Sequence, residues 1–373
     1  MMARATKKRK DMDKATREKL VKLAESVVKQ VQKRENPVIQ IPTRSLSNVR
    51  FDPKKKMIRM GDQKQSRTFF NTAMARKFMQ TMLVASTVKG ELLSSGKTTS
   101  IRDLYYMMKH TVEGANENTF EEQDESDPII EDLEVSVDSL REELHLFASN
   151  KGAMVGDVTI VDSGDTIDLR RMGSGGWSIP SIVEPNVVQF KKVNAKFILL
   201  VEKDAMWRRL NEDKFWQKHN CVLLHGQGQP PRGVRRLLYR MVNELKLPLY
   251  VFVDNDPWGY YIYSVIKQGS INLAYESRRM AVPSARFIGL SSFDKDRFKL
   301  PGNVTIQLTP EDISRAKQLL SYEWFQKAPW KKEIRNMLKS GVKLELEALS
   351  KKDISFASEV FLPKKIKDRN WLD

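Results

Sequence analysis

The residues of this chain best suited to chemistry are one tyrosine and three carboxylates. The tyrosine lies in the stretch 98–110, TTSIRDLYYMMKH. Placed on a helix, Ile101, Leu104, Tyr105 and Met108 fall at i, i+3, i+4 and i+7 and form one apolar face. Arg102, Tyr106, Lys109 and His110 fall on the other side, with Arg102 one turn before Tyr106 and Lys109 almost one turn after it. Tyr105 is expected in the core and Tyr106 at the surface, its phenol between two cations. A phenol titrates near 10 in isolation, so cations, a metal or a base must favour the phenolate before it can act as a nucleophile. Tyr106 is the candidate nucleophile. A tyrosine pair on an amphipathic helix is also what packing alone would produce, so the local pattern needs support from elsewhere.

The carboxylates come from a second pattern. FILLV (197–201) reads as a buried strand ending in Glu202, and LYVFV (249–253) as another ending in Asp254-Asn255-Asp256. In an open α/β sheet, ligands gather at the carboxyl ends of strands. Three carboxylates converging there repel one another unless a divalent cation sits among them, and an all-oxygen donor set points to Mg2+. Asp254 and Asp256, at i and i+2, point the same way from extended backbone, and either could bind directly or through water. Taken singly, Glu202 also reads as the start of a helix cap and 254–258 as a turn; the pair at the ends of two strands in one sheet favours metal. HGQGQPPR (225–232) ends the strand between them. Gly226 and Gly228 would let backbone approach a phosphate, and Arg232, Arg235 and Arg236 make the following helix start positive. A plain strand-to-helix turn has the same signature, and Pro231 stands where a dinucleotide fingerprint needs its third glycine. Gly96-Lys97-Thr98 lacks both the strand that a P-loop requires and its first glycine, which must be separated from Gly96 by four residues where Gly90 is separated by five, so no ATP site is expected.

These groups must be positioned by a mixed α/β framework. Residues 13–35 predict an amphipathic helix stopped by Pro37, and 38–60 extended chain with a hairpin around DPKKK (52–56), which together make 1–69 a basic arm. Helices at 70–88, 100–110 and 139–148, followed by the strand signal AMVGDVTIV (153–161), give the order of a winged helix-turn-helix over 70–162, with 139–148 as its recognition helix. The acidic stretch 113–127 is expected as a solvated loop. Residues 163–194 turn to Gly, Ser and Pro and predict a linker. From 195 to 373, strands alternating with helices predict a mainly parallel sheet, with helices at 204–218 and 233–245 and further strands at INLAY, RFIGL and VTIQL. Thr309-Pro310-Glu311-Asp312 predicts a helix cap.

Composition narrows the class. A chain of 373 residues with one cysteine, Cys221, has no intramolecular disulfide framework, and its four histidines show no zinc-ligand spacing. Residues 111–143 hold 13 acidic residues against Arg141 alone, a local charge of −12 within a net +17, so the remainder carries +29. Such an excess suits a polyanion, DNA or RNA before a membrane, although a generally basic surface would show it too. No run of 18 or more apolar residues occurs. A reducing, intracellular compartment fits.

The motifs R-D-L-Y-Y, V-E-K-D after a strand, G-x-G-x-P and V-D-N-D-P-W-G, with LAYES and LELEAL, stand in an order that resembles the A subunits of type IIB DNA topoisomerases, from about residue 70 onward. The meiotic double-strand-break transesterases share the pattern less closely over DNDPWGYYIY and in length. The resemblance implies a CAP-like winged-helix domain bearing the nucleophile at Tyr106, with Arg102 beside it, and a Toprim domain whose acids match Glu202, Asp254 and Asp256. It further implies a 5′-phosphotyrosyl link to cleaved double-stranded DNA, Mg2+ assistance, a homodimer in which the tyrosine of one protomer works with the acids of the other, and an ATP-binding B subunit in an A2B2 assembly. Lys109, Gly226, Gly228 and Arg232 are the expected DNA contacts, and a cytoplasmic, nucleoid-associated location is expected. The acidic insertion 111–138 departs from the family pattern. A metal-dependent Toprim nuclease, with water replacing tyrosine, and a non-catalytic winged-helix DNA binder are the rival classes; a covalent tyrosyl-DNA adduct would exclude both.

Overall fold

A computed structural model describes residues 2–372, with side chains from residue 9 onward. Its contacts partition into two units, Met1–Val49 with Met60–Ser149 and Arg50–Arg59 with Asn150–Asp373.

The first unit draws its core from amphipathic helices. Leu20 of the helix Met2–Gln32, Val84 and Ala85 of Thr72–Thr87, Leu104, Tyr105 and Met108 of Ile101–Met108, and Ile129, Ile130 and Leu133 of Ser126–Ser136 pack as one cluster. Strands Val38–Pro42 and Lys64–Thr68 pair antiparallel and bury Ile39 and Ile41 against Phe78. Residues 1–69 are therefore not an arm: apolar residues at helical and strand spacing draw most of them into this core, and the hairpin Val49–Asp52 with Met57–Met60 forms as expected. Within that hairpin Phe51 meets Trp324 of the second unit, to which residues 50–59 belong.

Two expectations are corrected here. Residues 139–148 form turns and the two-residue strand Leu146–Phe147, which pairs with Thr99–Ser100, so they are not a recognition helix. The third helix of this winged-helix-like unit is Ser126–Ser136, earlier in the chain; it begins at the end of the stretch 113–127 expected as a solvated loop, which otherwise holds only the short 3-10 turn Gln123–Glu125. Its charges are answered within the unit. Asp132 accepts from Arg67 at 2.5 Å and from Arg44 at 3.0 Å, Glu134 accepts from Arg141 at 2.6 Å, and Arg76 pairs with Glu117, Glu121 and Glu125.

The second unit is built on strands that are buried on both faces, Phe197–Val201, Cys221–His225 and Leu249–Phe252, as parallel strands covered by helices require. Its main sheet has the order Trp177–Ser178, Ala153–Gly156, Cys221–His225, Phe197–Val201, Leu249–Phe252, Arg286–Gly289. The last four run parallel; the first two are antiparallel additions. Val201 is level with His225 on one side and Phe252 on the other, so Glu202, Gly226 and the 253–254 step leave the sheet side by side.

The strand signal at 153–161 is accordingly no wing. Ala153–Gly156 joins the main sheet, while Val158–Asp162 forms a separate antiparallel sheet with Asp165–Asp168 and Val188–Val193. The expected linker 163–194 thus carries strands, and the first compact unit ends at Ser149. INLAY (271–275) is turn and short 3-10 helix, and from VTIQL only Ile306–Gln307 is extended, paired with Val342–Lys343 outside the main sheet. The helix expected over 204–218 breaks at Lys214, in the left-handed region at φ 58°, into Asp204–Glu212 and Phe215–His219. The Thr309 cap forms with Asp312 as expected, through bonds of 3.0 and 3.2 Å. Among the described residues no helix is long and apolar enough to cross a membrane.

Asp132 tests whether the acidic segment is packed as described. Asp132→Ala leaves two guanidinium groups without their buried partner and is expected to cost about 3 kcal/mol of stability. Glu117→Ala, at a side chain 72% exposed, is expected to cost less than about 0.5 kcal/mol. Denaturant unfolding compares the two; equal losses would contradict the packing.

Candidate functional site

The helix Ile101–Met108 begins where Ser100 Oγ accepts the Asp103 N–H at 3.0 Å, and it ends at extended Lys109. Its two tyrosines have opposite surroundings. Tyr105 is 5% exposed; its hydroxyl donates to the Glu121 carbonyl at 2.8 Å and accepts from Lys109 Nζ at 2.8 Å. Tyr106 is 59% exposed, and its hydroxyl makes no hydrogen bond among the described residues. The rings meet edge-on with centroids 5.0 Å apart. The division of faces seen in the sequence is present, with one correction. Lys109 serves Tyr105 and the Glu121 carbonyl, and its ammonium is held above its ordinary value chiefly by the Tyr105 hydrogen bond. Tyr106 is left with Arg102 as its cationic neighbour one turn away. Arg102 is exposed and unpaired among the described residues.

In the second unit, Glu202 Oε2 accepts the backbone N–H of Asp254 at 3.0 Å and so ties two strand ends together. Asp254, 5% exposed, accepts the Leu346 N–H at 2.8 Å on Oδ1 and pairs with Lys203 Nζ at 2.9 Å on Oδ2. Asp256 caps the helix Pro257–Gln268 by accepting the Gly259 N–H at 2.6 Å. A Cβ on Gly259 would stand 2.5 Å from the Asp254 carbonyl oxygen, so only glycine lets this helix press against the strand end. The motif D-N-D-P-W-G is thereby explained locally as cap, first-turn proline and close-contact glycine. Asn255, between the two aspartates, exchanges both backbone hydrogen bonds with Leu344 and is held from behind by Glu333 and the Tyr260 hydroxyl.

Burial pushes Glu202 up to about 7, with the Asp254 charge adding to it. Burial likewise raises Asp254 to about 6 and raises Asp256, against the Gly259 hydrogen bond. Three carboxylates that resist ionising together are the chemistry expected of hard oxygen ligands for a divalent cation. An ammonium answers the most buried of them: Lys203 Nζ lies 2.9 Å from Asp254, 2.9 Å from Glu347 and 3.3 Å from Glu345. Burial works against the Lys203 charge, and the hydrogen bonds to Asp254 and Glu347 outweigh it and hold the amine above its ordinary value. Among the described residues no three His, Cys, Asp or Glu side chains stand as a preformed metal cage. The donor set, all carboxylate oxygen, fits a hard cation.

Lys203, Glu345 and Glu347 escaped the sequence reading. The signal was available: Lys203 directly follows Glu202, and LELEAL alternates so that both glutamates share a side. At the third strand end, the Gly228 N–H donates to the Glu202 carbonyl at 2.9 Å, Gly228 sits at φ 84°, and the space beside it is open. Gly226 is pressed against Pro230. Arg232 is not available to a phosphate as expected: it pairs with Glu276, which is fully buried, and Arg235 reaches the other oxygen of that carboxylate at 3.4 Å. Arg236 is matched to Glu184 at 2.7 Å.

Three family models match the chain in order. Residues 76–146 match type IIB DNA topoisomerase; residues 150–194 match the all-beta domain in DNA topoisomerase VI alpha subunit; residues 197–366 match the Toprim domain of Spo11 and of topoisomerase 6 A subunits. The A subunits of type 2 DNA topoisomerase 6 from Pyrococcus horikoshii and Pyrococcus abyssi are each 44% identical over 364 residues, covering 95% of this chain and 94% of theirs. The A subunit of DNA topoisomerase 6 from Arabidopsis thaliana is 34% identical, covering 89% of this chain and 75% of its own.

The raised carboxylates have a consequence for stability. A carboxyl whose folded value exceeds its unfolded one favours the fold at low pH and loses that advantage as pH climbs through about 7 for Glu202. Under chelator at pH 8, Glu202→Gln is therefore expected to be more stable than the parent by about 1–3 kcal/mol, with the gap narrowing toward pH 5. Thermal melts at the two pH values check this, and a less stable variant at pH 8 would contradict it. With family matches running in order from residue 76 to 366 and relatives 44% identical along nearly their whole length, this chain belongs to the family of topoisomerase 6 A subunits within the type IIB DNA topoisomerases.

Proposed function

We propose that this chain is the DNA-cleaving and religating subunit of an ATP-dependent type II topoisomerase. The observation that carries this reading is the division between adjacent tyrosines: the Tyr105 hydroxyl is buried and bound twice, while the Tyr106 hydroxyl is exposed and free. A nucleophile has to be reachable and unencumbered. Tyr106 Oη attacks a phosphodiester; its bond to phosphorus forms as the bond to the 3′-oxygen breaks, leaving a 5′-phosphotyrosyl link and a 3′-hydroxyl. The phosphoester energy is retained, so the 3′-hydroxyl reseals the strand by the reverse attack without ATP. Arg102, one turn from Tyr106 and unpaired, is suited to a non-bridging phosphate oxygen.

Glu202, Asp254 and Asp256 would hold Mg2+, which when bound supplies positive charge against the phosphate and the departing 3′-oxygen. Lys203 pairs with one of these acids, Asp254, and with Glu345 and Glu347 beside it. Cutting both strands of a duplex needs two tyrosines, so the acting form is a homodimer. ATP-driven gating falls to a B subunit in an A2B2 assembly. In this chain Gly96 closes a helix end at φ 69° and does not follow a strand, so Gly96-Lys97-Thr98 is no phosphate loop.

Protein-linked DNA recovered after denaturation, in the presence of an ATP-binding B subunit, is the test. Tyr106→Phe is expected to abolish it while leaving duplex binding little changed. Tyr105→Phe is expected to keep cleavage and to lose about 1 kcal/mol of stability with the Lys109 and Glu121 hydrogen bonds. Undiminished adduct from Tyr106→Phe would refute the assignment, and cleaved DNA with free 5′-phosphates would favour a nuclease.

A further inference from the structure

The helix Ala328–Ser340 has two unlike faces. Inward, Trp330, Ile334 and Met337 are buried, and Glu333, the only acid of the helix, accepts the Ser292 N–H at 2.6 Å and the Tyr260 hydroxyl at 2.5 Å. Outward, Lys331, Arg335 and Lys339 follow at i, i+4 and i+8, with Lys332 beside them, so like charges stack one turn apart. With Phe293 and Asn336 they line a groove of about 420 Å³ that has no carboxylate in its walls. Lys332 Nζ lies 5.2 Å from the centre of the Phe293 ring. Lys331, Arg335 and Lys339 make no side-chain hydrogen bond or ion pair among the described residues. Other arginines of this unit behave differently: Arg209, Arg232, Arg236 and Arg240 are each matched to a carboxylate. Repulsion between cations one turn apart weakens a helix, so folding alone does not account for the stripe.

We infer that this stripe is an anchor for the phosphate backbone of duplex DNA, separate from the acid cluster. The inference rests on the proposed function. Lys331 to Lys339 spans about 12 Å of helix axis, the axial length of about three or four phosphates along one strand at 3.4 Å each. Unpaired cations spread along an open groove suit a repeating anion better than a single small one. The inner face of the same helix grips Asn255 between Asp254 and Asp256 through Glu333. A duplex lying on the outer face therefore passes within about one helix diameter, ~10 Å, of the acid loop. The contact is to backbone and carries no sequence preference.

The test is a salt titration of duplex affinity, using the full chain and a duplex of about forty base pairs, in which each phosphate contact adds about 0.9 to the slope of log K against log salt. The variant Lys331→Gln/Lys332→Gln/Arg335→Gln/Lys339→Gln is expected to lower that slope by about two to three and to melt no lower than the parent. The variant Lys331→Arg/Lys332→Arg/Lys339→Arg is expected to keep the parental slope. If the parent binds duplex and the glutamine variant shows the same slope, the anchor is disproved and the stripe is left to an acidic protein partner. If the parent binds no duplex, the proposed function fails first.

Discussion

Three carboxylates, one buried and two half-buried, gathered where adjoining strands end are the constraint on which the second unit depends. Apolar strands covered on both faces deliver Glu202 and Asp254 to one edge of the sheet, where neither can be fully hydrated. Almost every neighbouring element answers that charge. The backbone N–H groups of Asp254, Leu346 and Gly259 each donate to one of the three, and Lys203 bridges Asp254 to Glu345 and Glu347. The segment that supplies Leu346, Glu345 and Glu347 lies about ninety residues downstream of Asp254 and is locked to Asn255 by paired backbone hydrogen bonds. The acid loop thus fixes the path of residues 344–347 as well as the chemistry where the strands end.

The first unit solves the opposite problem. Its reactive group has to be exposed, and the helix achieves this by burying one tyrosine to hold the other in place: Tyr105 is fixed by Lys109 and the Glu121 carbonyl, and Tyr106 rides on the other face. The acidic segment that follows supplies this support. Glu121 caps Asn118 through 2.9 Å bonds, and Arg76 neutralises the carboxylates around it. The excess of cations inferred from composition is accordingly smaller in effect than its sum. Arg44, Arg67, Arg76 and Arg141 are matched within the first unit, as Arg232 and Arg236 are within the second.

Much of this was legible in the residues where the determining interactions are local. The tyrosine face follows from i, i+3, i+4 spacing, the strand ends from continuous apolar runs, and the Thr309 cap from its own four residues. Where the reading failed, a distant or competing interaction decided. The helix Ser126–Ser136 was hidden by its acids, although Ile129, Ile130 and Leu133 mark a core face, because the arginines that neutralise Asp132 lie 65 and 88 residues away. Residues 139–148 carry Leu140 and Leu144 at helical spacing, yet the backbone turns left-handed at Asp138 and His145 and allows only a single turn between them. Glycine and serine between 163 and 194 serve tight turns joining short strands, which a composition count reads as a linker. Arg232 was expected at a phosphate because Glu276, 44 residues on, could not be seen to be its partner.

The most direct measurement of the central claim is to locate the covalent bond. Trypsin cleaves after Arg102 and Lys109, so residues 103–109 leave as one peptide holding both tyrosines. After cleavage of duplex DNA, denaturation and nuclease trimming, that peptide is expected to carry a nucleotide through its 5′-phosphate, and fragmentation between Tyr105 and Tyr106 is expected to place the added mass on Tyr106. A nucleotide on Tyr105, or an unmodified peptide beside DNA that has been cut, would contradict the account.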